Sequence, residues 1–129
     1  MAKDEALTRI LLVEDEEDIR AVAEVALEVV GGFTLKACAS GREALTAIAD
    51  FAPQLVILDV MMPGMDGPET LRAIRGLPDF ESTSVVFMTA KVQSEEVASY
   101  LAHGAVGVIP KPFDPMALAD RVNDIWRSC

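Results

Sequence analysis

Short apolar runs alternate with longer helical periods from one end of the chain to the other. Ile10-Leu11-Leu12-Val13 is continuously apolar and gives way at once to Glu14 and Asp15, the pattern of a strand buried on both faces that ends at its carboxyl edge. Ile19, Val22, Ala23, Ala26, Val29 and Val30 then recur at three- and four-residue steps, which predicts a helix with that inner stripe, stopped by Gly31-Gly32. Residues 33–37 read as a second strand. Ser40 followed by Glu43 forms a capping box for a helix facing inward through Leu45, Ile48 and Phe51, and Pro53 closes that region. Leu55-Val56-Ile57-Leu58 is a third buried strand ended by Asp59, before a loop over 61–65. Asp66 and Glu69 repeat the box ahead of a helix with Leu71 and Ile74 inside, broken by Gly76 and Pro78. Val85-Val86-Phe87-Met88 is a fourth strand ending at Thr89. Ser94 is expected to cap a fourth helix, with Val97, Tyr100 and Leu101 on its apolar side and Gly104 at its end. Residues 106–109 form a fifth strand ending beside Lys111. Asp114-Pro115 is expected to start the last helix, whose buried stripe is Leu118, Val122 and Ile125 with Trp126 beside it.

Five strands alternating with five helices call for right-handed crossovers, hence a five-stranded parallel sheet with helices on both faces. The fold class is α/β, doubly wound. The 129 residues make one domain over 1–129, with an ordered core over about 8–127. In such sheets the functional crevice lies outside the carboxyl ends of the strands, where the strand order reverses. The residues at those ends are Glu14, Asp15, Asp59, Thr89 and Lys111.

Composition narrows the choice of function. Hydrophobic residues at 51% and charged residues at 25% describe an ordinary globule. Eleven Lys and Arg against 21 Asp and Glu give a net charge of −10, a field that repels phosphate backbones and acidic lipid. Direct nucleic-acid binding is not expected. The longest stretch without a charge, residues 97–110, is too short to span a bilayer, so no membrane association is expected either. The opening Met1-Ala2-Lys3-Asp4-Glu5 is acidic where an export signal is basic and then apolar, which leads to the expectation of a cytoplasmic protein. Cys38 and Cys129 form no CxxC pair, and Cys38 sits in an apolar stretch as a buried free thiol.

Three carboxylates in one crevice repel one another and stay ionised only beside opposite charge. Lys111 supplies one positive charge, and a divalent cation completes the balance. A carboxylate-rich site suits Mg²⁺ better than a soft metal. A phosphoryl group is then the natural guest: Mg²⁺ and the Lys111 ammonium hold its oxygens, the Thr89 hydroxyl donates to one of them, and a carboxylate attacks phosphorus in line. Asp59, alone on its strand, is the nucleophile of choice, and the adjacent Glu14 and Asp15 are placed to hold the metal. Glu16, Glu17 and Asp18 read as a solvated face that complements a helix dipole. Met61, Met62 and Met65 read as loop packing, since no Cys or His accompanies them, and His103 as a surface residue.

These residues carry a family resemblance over about 8–126. Leu12-Val13-Glu14-Asp15-Glu16, Leu58-Asp59-Val60-Met61-Met62-Pro63-Gly64-Met65-Asp66-Gly67, Met88-Thr89-Ala90 and Lys111-Pro112-Phe113 together resemble a two-component response regulator receiver domain of the single-domain chemotaxis type. The resemblance implies strand order 2-1-3-4-5. It implies that Asp59 accepts a phosphoryl group from a histidine kinase or a histidine phosphotransfer protein, and that Glu14, Asp15 and Asp59 hold Mg²⁺ with the backbone carbonyl of Met61. Thr89 is then the switch hydroxyl and Lys111 the phosphoryl contact. The protein is expected to be no enzyme beyond self-directed phosphotransfer and autodephosphorylation, and to offer a changed surface to a downstream protein target.

Further expectations come with the resemblance. Lys111-Pro112 is expected to be cis. The first helix, through Arg20, Ala21 and Glu24, and the loop over 111–114 are expected to dock the phosphodonor. Many receivers carry Tyr or Phe three residues before the site lysine; Val108 stands there, so movement of Thr89 is expected to pass through Ala90, Lys91 and Val92 to the fourth helix, where Tyr100 reports it. Met61 and Lys91 replace polar or acidic side chains that in some relatives orient the attacking water, which implies slow hydrolysis.

Three rival functions fit less well. A Mg²⁺-dependent aspartyl-phosphate phosphatase of the haloacid dehalogenase type places a second Asp two residues after the nucleophile, where this chain has Met61. A receiver-like binding module that never takes phosphate would normally lack one of the five site residues, and all five are present. A flavodoxin-like cofactor carrier shares the fold, but no GxxxxGK[ST] phosphate loop occurs.

Overall fold

The computed structural model describes residues 5–129; residues 1–4 of the expected 1–129 domain, and most of the opening acidic segment, lie outside the described residues. Five strands, β1 (Arg9–Val13), β2 (Thr34–Cys38), β3 (Leu55–Asp59), β4 (Ser84–Thr89) and β5 (Gly107–Pro110), form one sheet. All pairings are parallel and the order is β2-β1-β3-β4-β5. The order reverses at β1, between β2 and β3, which puts the crevice at the carboxyl ends of β1 and β3.

Strand residues alternate between two cores, as a period of two requires. Ile10, Leu12 and Ile57 face a cluster closed by Ala23, Ala26 and Leu27 of the first helix and Val122, Ile125 and Trp126 of the last. Leu11, Val13 and Leu58 face a second cluster, with Ala44 and Ile48, Leu71 and Ile74, and Tyr100 from the three intervening helices. Burial on both faces explains why β1, β3 and β4 read as unbroken apolar runs. The helices are α1 (Glu17–Glu24), α2 (Gly41–Phe51), α3 (Gly67–Arg75), α4 (Ser94–Ala102) and α5 (Leu118–Ser128).

Ser40 Oγ accepts from Glu43 N at α2, and Asp66 and Glu69 form the full reciprocal box at α3. Four local expectations are corrected. The first helix continues as a π-helical segment, Val25–Val30, closed by a bond from Gly31 N to Ala26 O at 3.1 Å. Its wider turn slows the rotation from residue to residue. Within it Ala26 and Leu27 are therefore buried while Val29 and Val30 face outward, Val29 with 77% of its surface exposed; in α1 itself Ala23 is the buried residue and Val22 is exposed. On α2 the buried positions are Gly41, Ala44 and Ile48, and Leu45 and Phe51 pack only half-buried against the core.

On α4 the N-cap is Gln93 rather than Ser94, with Gln93 N donating to Glu96 Oε1, and Leu101 is exposed while Tyr100 is the helix's one buried residue. The last helix begins at Leu118. Asp114 closes a separate turn, accepting from Met116 N at its side chain and from Ala117 N at its carbonyl. Among the described residues no helix is long and apolar enough to cross a membrane.

Candidate functional site

Each site residue stands where a strand stops. Glu14 follows β1 and keeps its backbone in the sheet through Glu14 N to Cys38 O, so its side chain starts from a rigid point. Asp59 is the last residue of β3, fully enclosed between β1 and β4. The chain then turns into α3 so tightly that a Cβ on Gly67 would lie 2.6 Å from the Asp59 carbonyl oxygen; only glycine permits that approach. Thr89 ends β4, and Lys111 N donates to Thr89 O, which extends the β4–β5 pairing to the lysine. The Lys111-Pro112 bond is cis, as the resemblance implies.

The side chains converge. Lys111 Nζ lies 2.9 Å from Glu14 Oε1 and 3.1 Å from Asp59 Oδ1. Glu14 Oε2 accepts from Glu16 N, and Met61 N donates to Asp59 Oδ1. Carboxylate oxygens of Glu14, Asp15 and Asp59 all lie within 4.8 Å of one another. Asp15 Oδ1 is buried and has no hydrogen-bond partner, which is costly unless a cation or donor meets it. Thr89 Oγ1 accepts from Lys91 N at 3.1 Å. Asp59, Thr89 and Lys111 line one crevice of about 620 Å³, walled on its apolar side by Ile19, Val22 and Phe113.

The electrostatics show a site short of positive charge. Burial, then hydrogen bonding with Asp15 and Glu14 and the charge of Glu14, push the Asp59 carboxyl up to about 7, against the pull of Lys111. Burial works against the Lys111 ammonium too, but its bonds to Glu14 and Asp59 outweigh that and raise its pKa. A hard divalent cation suits this donor set: three carboxylates, one of them with an unpartnered buried oxygen, and no thiolate or imidazole among them.

The structure thus gathers Glu14, Asp15, Asp59, Thr89 and Lys111, and places Met61 on the rim of the crevice, 62% exposed. Glu16, Glu17 and Asp18 are exposed, as expected, although Glu16 and Asp18 also line the crevice. Arg20 differs from expectation: it is half-buried and its guanidinium donates to Glu14 O at 2.9 Å, which ties α1 to the acidic turn. Ala21 is exposed and Glu24 half-buried. Sequence reasoning missed Ile19, Val22 and Phe113 as crevice walls. The helical period assigns Ile19 and Val22 to the core, and nothing local says that the period leaves them at its edge.

Comparison with known proteins agrees with this fold. A family model described as response regulator receiver domain matches residues 10–123. The transcriptional regulatory protein CseB of Streptomyces avermitilis is 36% identical over 120 residues, covering 93% of this chain and 49% of CseB. The DNA-binding response regulator MtrA of Mycolicibacterium paratuberculosis is 37% identical over 118 residues, covering 89% of this chain and 49% of MtrA. The chain spans about half the length of the curated relatives it matches. Among solved structures, the chemotaxis protein CheY4 of Vibrio cholerae superposes with a TM-score of 0.85 at 30% identity, covering 93% of this chain and 99% of CheY4.

Proposed function

The chain belongs to the response regulator receiver domain family, and on that premise we propose that it is a switch operated by phosphorylation of Asp59. One observation carries the reading: the Lys111 ammonium bridges Glu14 and Asp59 beside the buried, unpartnered oxygen of Asp15, at the mouth of a crevice that Thr89 also lines.

The chemistry follows from the groups present. A phosphorylated histidine on a histidine kinase or phosphotransfer protein enters the crevice. Ionised Asp59 attacks phosphorus as the P–N bond breaks, forming a P–O bond, and the leaving imidazole keeps the electron pair and takes up a proton. Lys111 Nζ and the Thr89 hydroxyl meet phosphoryl oxygens. Glu14, Asp15 and Asp59 would hold Mg²⁺, with the Met61 backbone carbonyl as a further oxygen ligand. When bound, Mg²⁺ supplies the positive charge that keeps Asp59 ionised and offsets the charge of the phosphoryl oxygens.

The donor docks over α1 and the 111–114 loop, where Val22 and Phe113 border the crevice and offer apolar contact. Met61 has no group that orients water, and Lys91 is a cation, so hydrolysis of the phosphoryl group is slow. The output is a protein contact. MtrA is described as DNA-binding, but this chain matches only half its length and carries a net charge of −10, which disfavours nucleic acid as the ligand of this domain. Incubation with acetyl phosphate and Mg²⁺, followed by intact mass, tests the reading: wild type gains one phosphoryl group and Asp59→Asn gains none. Equal gain by both would refute it.

A further inference from the structure

Lys91 is held at both ends of its backbone. Its N–H donates to Thr89 Oγ1 at 3.1 Å, and its carbonyl accepts from Tyr100 Oη at 3.0 Å. An unbroken path of two hydrogen bonds therefore runs from a hydroxyl in the crevice to the last turn of α4. The Tyr100 ring is fixed in turn, packed edge-on against Phe87 of β4 with centroids 5.5 Å apart and planes at 68°. Phe87 pairs in register with Val108, so this ring occupies the core beside the position where Val108 has no aromatic to offer.

α4 hangs on that side chain. Tyr100 is its one buried residue, at 8% exposure, with Val97 half-buried beside it and Leu101 turned to solvent. The Gln93–Glu96 bond caps the helix's first turn where the connecting segment joins it. Beside the connecting segment lies a cleft of about 400 Å³ lined by Ala90, Lys91, Val92, Gln93 and Glu96, which leaves the segment room to shift.

We propose that Tyr100 is a positioning residue whose hydroxyl, through the Lys91 carbonyl, couples the state of Thr89 to the placement of α4. The inference rests on the reading of Asp59 as phosphoacceptor. When Thr89 Oγ1 turns toward a phosphoryl oxygen, its bond from Lys91 N is lost. The segment then moves while Tyr100 still holds its carbonyl, and α4 follows. The coupling is a chain of contacts with two arrangements, and the hydroxyl is its last link.

Amide resonances of wild type, Tyr100→Phe and Val97→Ala, recorded before and after adding beryllofluoride with Mg²⁺ as phosphoryl mimic, test this. Tyr100→Phe keeps the ring against Phe87 and deletes only the hydroxyl. In wild type, amides at Asp59, Thr89 and Ala90 shift and those of Ser94–Ala102 shift with them. In Tyr100→Phe the first group shifts as before and the α4 response is lost. Val97→Ala, which removes packing from the same helix, retains it. Equal α4 shifts in Tyr100→Phe and wild type would overturn the inference, as would equal loss in Val97→Ala. A wild type with shifts at Asp59 and Thr89 and none in α4 would overturn it while leaving the phosphoacceptor reading intact; a wild type with no shift at Asp59 or Thr89 would overturn both.

Discussion

The Lys111 ammonium lies 3.1 Å from Asp59 Oδ1, in a contact where the lysine side chain is 14% exposed and the aspartate 5%. The same nitrogen reaches Glu14, which has no exposure at all. One cation therefore serves two buried carboxylates.

That sharing predicts the cost of losing it. Lys111→Met leaves Glu14 a buried charge without its cation, and breaking such a pair costs about 3 kcal/mol of unfolding free energy in metal-free protein. Lys111→Arg does not restore the loss fully, because a planar fork does not fit where a point charge sits between two carboxylates. Urea unfolding at pH 8 checks this. A change within ~0.5 kcal/mol, the range of ordinary surface substitutions, would contradict it.

Asp59 gives metal-free protein a pH dependence of unusual sign. Its carboxyl titrates near pH 7 folded and near 3.8 unfolded, so between those values the folded state binds more protons. The stability that protonated Asp59 contributes is fully present below about pH 4 and is lost as pH rises through about 7. Asp59→Asn removes this dependence. Unfolding of the two proteins in chelator from pH 5 to 8 should show wild type losing stability relative to the variant as pH rises. Parallel profiles would contradict the electrostatic reading.

The two cysteines are predicted to react unequally. Cys38 is buried, and burial, with the nearby Glu43 charge adding to it, pushes its thiol up to about 11, whereas Cys129 is partly accessible. Iodoacetamide at pH 8 should modify Cys129 and spare Cys38 until the protein is unfolded. Equal labelling of both in folded protein would contradict the core assignment of β2.

Docking and hydrolysis separate from phosphoacceptance. Val22→Lys, at the crevice wall, should slow transfer from a cognate histidine phosphodonor and leave acetyl phosphate labelling unchanged. Met61→Asn places a group that orients water beside Asp59 and should speed dephosphorylation about tenfold, the effect of ~1.4 kcal/mol at the transition state. An unaltered decay rate would remove Met61 from the account.

Much of this molecule is legible in its sequence because the sheet is buried on both faces. Leu55-Val56-Ile57-Leu58 can be apolar throughout only where both sides are covered, and Asp59 marks its end by breaking that run. The same logic locates Glu14, Thr89 and Lys111. Helix faces were less legible. Nine apolar residues from Ile19 to Val30 fit several stripes, and the π-helical turn at Val25–Val30 that selects Leu27 over Val29 leaves no mark in composition. The start of α5 was masked by Asp114-Pro115, which fits a turn as well as a helix start. The bond from Tyr100 to the Lys91 carbonyl joins a side chain to a backbone group nine residues away, and no residue pattern encodes it.

The central claim is that Asp59 itself carries the phosphoryl group, and reductive trapping tests it most directly. Protein treated with acetyl phosphate and Mg²⁺, reduced with borohydride and digested, should yield homoserine at position 59 and at no other carboxylate, because borohydride reduces an acyl phosphate and leaves free carboxylates alone. Trapping at Glu14 or Asp15, or an unmodified Asp59 in phosphorylated protein, would contradict the account.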